Sequence, residues 1–489
     1  MASKVLPAQG LPHGGGPAEK PTSGFVHPDD LRTAFALDMS QMYKNEVPLY
    51  GDLIRIVQDV NKSAFADSIN SNSLERLSLE RHGAIRLGKP EELRVVSRIF
   101  AVLGMRAVGY YDLSAAGLPM HATCFRPVAV GSLANNPFRV FTTLLRPELV
   151  RSKEARNLAE DMLRKRNIFS DQLMEMLQVA ETQDGLYADQ AGIFIREALK
   201  TFSWAPVAAA SVDDYQLLKA QHPILADIAC FKTAHINHLT PRVLNITVAQ
   251  AAMQREGMSV KDRIEGPPKR RWPILLRQTS FLALEESIKF VNGNDAGSEP
   301  LVQGSHKARF GEIEERGSAV TPAGRQLYDD LLSKAMDKSA GKSPEEVDAT
   351  MESVFQEFPD DWAELRARGL VYCEYKCTDK AIPSNINLDV TNKSKVVDIL
   401  LAEGLLATEP ITYEDFLPFS AAGIFQSNLG AKTGKPGNLP ILPGSPSQDQ
   451  LEAALDGCIV DPDQLYASAE RASLDACLQK LSASYGVEI

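Results

Sequence analysis

The eight residues from Arg309 to Arg316, RFGEIEER, restrict what this chain can become more than any other stretch. Strand alternation places Phe310, Glu312 and Glu314 on one side and Gly311, Ile313 and Glu315 on the other, so one face is acidic. A carboxylate does not enter the inward side of a strand without a cation, a proton or an arginine to offset the loss of water. Such a strand either faces solvent or holds a positive partner. Two other runs offer one: AHINHLTPR, from Ala234 to Arg242, and RHGAIR, from Arg81 to Arg86. With His82 from the second run and His238 from the first, Glu312 would complete a facial metal-binding triad of two histidines and one carboxylate.

Composition narrows the setting for such a site. At 489 residues the chain exceeds one ordinary core, so two or three structural units are expected. Lys and Arg number 52 against 63 Asp and Glu, and the net charge of -11 argues against a polyanion-binding surface, hence against nucleic acid as a partner. The six cysteines form no CxxC pair, which points away from a disulfide scaffold or a zinc ribbon and towards a reducing compartment. No run approaches the roughly 18 apolar residues of a membrane helix. A cytoplasmic protein with no membrane contact is expected.

Residues 1–24 are rich in Pro and Gly and read as a disordered leader. Two or three helices follow, and then a distinct rhythm: a strand opening at His82, a helix started by Pro90, Glu91 and Glu92, and three strands ending near residue 145. Residues from about 150 to 226 read as an inserted helical layer. The rhythm then returns, with a strand opening at His238, a helix near 248–256, and strands expected at 274–276, 279–284 and 309–315. The fold class is therefore α+β, with two βαβββ units forming a metal-binding sheet within a core spanning 25–330 and large helical insertions. An accessory α/β segment is expected over 331–430, followed by a linker and a helical tail over 431–489.

Ile236 to Thr240 (INHLT) resembles the opening strand of metal-dependent vicinal-oxygen-chelate modules, and Phe310 to Arg316 resembles the closing strand that supplies their acidic iron ligand. From about residue 25 to 430 the chain resembles the 2-oxoadipate dioxygenase/decarboxylase (2-hydroxyglutarate synthase) family. RHGAIRLG at 81–88, HINHLTPR at 235–242, FGEIEERG at 310–317 and TPAGRQLY at 321–328 carry the likeness. The resemblance implies Fe(II) held by His82, His238 and Glu312, a substrate carboxylate held by Arg86, and a closing loop in which Phe419 and Ser420 offer backbone amides to the substrate. It implies a reaction of 2-oxoadipate with O2 that yields 2-hydroxyglutarate and CO2, within lysine breakdown.

The residue types suit that chemistry on their own account. Three protein ligands on one face of an octahedral iron leave three positions, enough for a chelating 2-oxo acid and dioxygen together. Arg86 lies four residues after His82, on the same side of a strand, and its planar fork matches a carboxylate better than an ammonium does. His235 is the rival of His238, and Glu314 the rival of Glu312, whose other role is a hydrogen bond behind a ligand. His121 and His306 read as core or surface histidines. Arg242, Arg316 and Arg325 either pair with acidic side chains or reach the far carboxylate of a diacid. Two alternatives stay open: a related metal-dependent dioxygenase for another 2-oxo acid or an aromatic substrate, and a non-catalytic small-molecule binding protein of the same fold.

Overall fold

The structure is a computed structural model that describes residues 24–65, 71–291, 301–339, 341–380, 393–417 and 446–485. The expected leader, apart from Gly24, lies outside the described residues, as do Phe419 and Ser420.

A five-stranded sheet forms the centre. Its strands are β1 (Arg81–Leu87), β2 (Arg106–Asp112), β3 (Met120–Arg126), β4 (Arg139–Leu145) and β5 (His238–Pro241), in the order β2-β3-β4-β1-β5. β1 runs parallel to β4, with His82 opposite Arg139, and the helix Pro90–Val102 follows β1. That helix begins with Pro90 in its first turn, carries Glu91 and Glu92 near its positive end, and buries Leu93, Val96, Ile99 and Phe100 at helical spacing. Every residue of β1, β3 and β4 is buried, because helices cover both faces of the sheet. Ile85, Leu87, Val140 and Leu144 face one apolar cluster, with Phe35, Phe100 and Phe194. Ala84, Phe141 and Leu145 face another, with Leu163, Ile224 and Ile228.

The stretch between β4 and β5 is helical, as expected, with helices at Lys153–Lys165, Asp171–Gln183, Ala188–Phe202, Val212–Gln221 and Pro223–Ala229. Ser152, Ser170 and Ser211 cap three of them through their hydroxyls. The last and shortest runs past residue 226, where the helical layer was expected to end. β5 pairs antiparallel with β1 in a register that sets Ala84 opposite His238 and His82 opposite Thr240. Gly83 makes this approach possible: a Cβ there would stand 2.6 Å from Ile236 Cδ1.

The second half departs from the expected strand positions. The strands are β6 (Leu276–Ser280), β7 (Glu285–Phe290), β8 (Val302–Lys307) and β9 (Glu312–Arg316). Where sequence suggested strands at 274–276 and 279–284, β6 spans the gap between them, and β7 and β8 form a hairpin that was not foreseen. Alternation in this hairpin is weak, with exposed or half-buried residues dominating both strands, so no apolar period announced it. β6 pairs antiparallel with β9. A parallel bridge from Arg242 to Glu314 joins the end of β5 to β9, and bridges from Val260 and Glu265 reach Phe281 and Gln278.

Beyond residue 321, helices Pro322–Ser339 and Pro344–Val354 pack on the second apolar cluster, to which Tyr328, Leu331 and Val354 belong. β10 (Cys373–Cys377) and β11 (Leu406–Pro410) form a separate antiparallel pair. The helix Pro462–Tyr485 packs against this pair through Cys477, Leu478 and Leu481. The cysteines are all free thiols. Among the described residues, no helix is long and apolar enough to cross a membrane.

Candidate active site

The three strands β1, β5 and β9 each contribute one side chain to a single buried point. His82, His238 and Glu312 present ligand atoms that all lie within 4.8 Å of one another, and all three are buried. His82 Nε2 is 3.2 Å and His238 Nε2 3.8 Å from the same oxygen, Glu312 Oε2. Bonds of about 2.1 Å at right angles to a common ion separate neighbouring ligand atoms by about 3 Å, so this spacing fits a shared divalent cation. Glu312 Oε1 is buried with no hydrogen-bond partner among the described residues, a costly state for a carboxylate oxygen unless a cation meets it. The residues present therefore fit a metal ion.

Neighbouring side chains fix the orientation of these three. Glu314 Oε2 lies 2.9 Å from His82 Nδ1, which assigns the proton to Nδ1 and turns the Nε2 lone pair towards Glu312. Glu312 Oε2 accepts hydrogen bonds from Thr240 Oγ1 at 3.1 Å and Gln278 Nε2 at 2.8 Å. The Tyr43 hydroxyl lies 2.7 Å from the Phe310 carbonyl and 2.9 Å from that of Asn237, tying together the backbones that lead into Glu312 and His238. Phe310 packs on the His238 ring, and Phe416 stands edge-on to His82 at a centroid distance of 4.9 Å.

Burial and the neighbouring charges shift the protonation of these groups in different directions. Burial pushes the His238 imidazole down to about 3, the nearby carboxylate Glu312 opposing this and the positive groups His82 and Arg86 adding to it. For His82 burial also acts downward, but Glu314 and Glu312 outweigh it and raise its pKa. Burial would raise Glu312, yet His238 and His82 outweigh that and lower it. Glu314 is held well below the usual carboxylate range against its own burial, chiefly by Arg316 and His82.

Arg86 lies on the same face of β1 as His82, about 13 Å further along the strand, and the register places His238 between them. Its Nη1 meets Asp227 Oδ2 at 2.5 Å. His235, the rival of His238, turns to Asp227 instead, with Nε2 3.2 Å from Oδ1, and His306 Nε2 meets the same oxygen at 2.8 Å. His306 is a buried core histidine, as expected, and is hydrogen-bonded. His121 is buried near Tyr110, away from both groups. Arg316 pairs with Glu314 and donates to the carbonyls of Tyr413 and Asp415, Arg242 pairs with Glu80, and Arg325 pairs with Asp329.

Several residues around the site escaped the sequence reading. Gln278 was missed because β6 was misplaced, although Thr240 shares a strand face with His238 and alternation alone would have named it. Asp227 was missed as well, although a lone acid inside the apolar helix PILADIA is a signal that could have found it. Asp415 pairs with Arg126 at 2.7 Å and accepts from Tyr466, so the C-terminal helix braces the segment carrying Phe416.

A family model for 2-oxoadipate dioxygenase/decarboxylase matches residues 35–428. The chain belongs to that family. Among its curated relatives, 2-oxoadipate dioxygenase/decarboxylase from Pseudomonas putida is 46% identical over 478 residues, covering 94% of this chain and 99% of the relative. The relative of the same name from Escherichia coli is 44% identical, covering 92% and 98% respectively. Among solved structures, hydroxyglutarate synthase from Pseudomonas putida in complex with 2-oxoadipate superposes with a TM-score of 0.81 at 42% identity, covering 94% of this chain and all of that one. For the 2-oxoadipate dioxygenase/decarboxylase family, then, this chain supplies a mixed α+β scaffold with a buried His, His and Glu centre.

Proposed function

We propose that this chain is an Fe(II)-dependent dioxygenase/decarboxylase that converts 2-oxoadipate and O2 to 2-hydroxyglutarate and CO2. The observation that carries the reading is the convergence of His82, His238 and Glu312 from three strands, with their ligand atoms within 4.8 Å of one another and all three side chains buried. Relatives that carry the 2-oxoadipate dioxygenase/decarboxylase name over nearly their whole length support the substrate.

When bound, Fe(II) would supply the positions at which a 2-oxo acid chelates and dioxygen is activated. The protein's own groups do the rest. Glu314 keeps the proton on His82 Nδ1 so that Nε2 stays available. Thr240 and Gln278 donate to Oε2 of Glu312 and hold its carboxylate beside the two imidazoles. Arg86 binds a substrate carboxylate through its planar fork and keeps the carbon to be hydroxylated near the centre. Phe416, buried against His82 and Phe141, excludes water from that side. Phe419 and Ser420 follow Leu417 and Pro418 in sequence, and in this reading their backbone amides serve the substrate carboxylate.

Atoms balance without a second organic reductant: the six-carbon diacid loses one carbon as CO2, one oxygen atom enters the new carboxylate, and the other becomes the hydroxyl at C2. The pairings that join β5 to β9 and β6 support a second βαβββ unit beside the one formed by β1 to β4. A place in lysine breakdown, in the cytoplasm, accords with the substrate and with the free cysteines.

The test is a substrate panel with the iron-loaded protein. 2-Oxoadipate is expected to give 2-hydroxyglutarate with a kcat/KM at least about a hundredfold above 2-oxoglutarate or an aromatic 2-oxo acid. An aromatic 2-oxo acid as the best substrate would overturn the assignment.

A further inference from the structure

Behind Arg86 lies a buried polar group that the reaction does not use directly. Asp227 stands in the short helix Pro223–Ala229, fixed by the buried side chains Ile224, Leu225 and Ile228 around it. Its two oxygens each receive two donors: Oδ1 faces His235 Nε2 and His306 Nε2 at 3.2 and 2.8 Å, and Oδ2 faces Arg86 Nη1 and Asn237 Nδ2 at 2.5 and 3.3 Å. A carboxylate has about four lone-pair sites, so this one is saturated. The Tyr215 hydroxyl lies 2.9 Å from His306 Nδ1, which leaves the proton of that ring on Nε2, pointing at Asp227. Trp204 and Phe231 wall the two imidazoles off.

Asp227, His235 and His306 also bring their ligand atoms within 4.8 Å of one another, the arrangement of a second ion site. Charge balance decides against that use. The one carboxylate of the group already faces a guanidinium, and a divalent cation beside it would leave excess positive charge buried among aromatic rings.

We infer that Asp227, locked by His235, His306 and Asn237, is a positioning residue that holds the Arg86 guanidinium in the orientation that receives the substrate's carboxylate. The inference rests on the reading of Arg86 as the carboxylate anchor. Arg86 leaves a fully buried strand on a long, rotamer-rich side chain, and burial alone does not select one rotamer. A guanidinium tied at Nη1 to a fixed carboxylate is confined to few rotamers. The aim of Arg86 is thereby set by the helix 223–229, whose Asp227 lies 141 residues further along the chain.

The test measures KM and kcat for 2-oxoadipate, and the dissociation constant of adipate, in the iron-loaded wild type, Asp227→Asn, His306→Gln and the double variant Arg86→Ala/Asp227→Asn. Asp227→Asn is expected to raise KM and the adipate constant about tenfold or more, with kcat moved far less. His306→Gln, which retains the carboxylate, is expected to cause a smaller rise and reads the same effect should Asp227→Asn not fold. Adding Asp227→Asn to Arg86→Ala is expected to cost nothing further in adipate binding, because Asp227 acts through Arg86. Unchanged adipate binding in the folded single variants would overturn the inference, as would two iron ions per wild-type chain falling to one in Asp227→Asn. If the wild type binds adipate and Asp227→Asn does not, yet no oxygen is consumed with 2-oxoadipate, the proposed reaction fails and the positioning role stands. If the wild type binds neither diacid, both fail.

Discussion

Glu314 Oε2 lies 2.9 Å from His82 Nδ1, and this contact gives the two carboxylates on one strand face different tasks. Glu312 and Glu314 share the inward side of β9, and sequence alone left either as the ligand. Each carboxylate buries one oxygen without a hydrogen bond, but Glu314 faces His82 from behind, Arg316 and Arg139, whereas Glu312 faces the Nε2 atoms of both His82 and His238.

Replacing Glu314 by Gln should therefore weaken metal binding without removing a ligand. The amide can present its NH2 to Nδ1 and so favour the wrong tautomer, with Nε2 protonated. We expect the metal dissociation constant to rise about 10- to 100-fold, read by metal titration. An unchanged constant would show that His82 needs no partner.

Glu80 carries the clearest pH signature. Burial raises its pKa, but Arg242, Arg139 and Arg76 outweigh burial and hold it down to about 2, against an ordinary value of 4.5. A depressed carboxylate contributes stability that is present above 4.5 and is lost as pH falls through about 2. Glu80→Gln should lower the unfolding free energy by about 3 kcal/mol at neutral pH. The gap should close towards pH 2, as followed by denaturant titration at several pH values. A gap independent of pH would contradict the assignment.

Tyr466 links the C-terminal helix to the segment against His82. Its hydroxyl donates to Asp415 Oδ2 at 2.5 Å and accepts from the Glu414 amide at 2.8 Å. Tyr466→Phe leaves two buried groups short of a partner and should cost about 1–3 kcal/mol in unfolding free energy. KM should rise while metal affinity stays near the wild-type value, since Phe416 adjoins these residues and no ligand is touched.

The strands that bring His82, His238 and Glu312 together were legible because their constraint is local: strand alternation puts Glu312 inward, and an inward carboxylate demands a positive partner. The helical layer and the first strand-helix-strand pattern were legible from apolar period and from caps such as Pro90 and Ser152. The hairpin of β7 and β8 was not, because it is largely exposed and carries no clean period. His306 lies on that hairpin, and its contact with Asp227 spans 79 residues, which no spacing rule records. Tyr43, buried between the Asn237 and Phe310 carbonyls, reads in sequence as one more apolar position on a lead-in helix.

Oxygen uptake on addition of 2-oxoadipate to anaerobically iron-loaded protein, with CO2 and 2-hydroxyglutarate measured alongside, tests the central claim most directly. The wild type should consume one O2 for each CO2 and each 2-hydroxyglutarate formed, and His238→Ala and Glu312→Ala should each lose both iron and oxygen uptake. Undiminished uptake in either variant would remove that residue from the metal centre, and a wild type that binds the diacid without consuming oxygen would contradict the reaction itself.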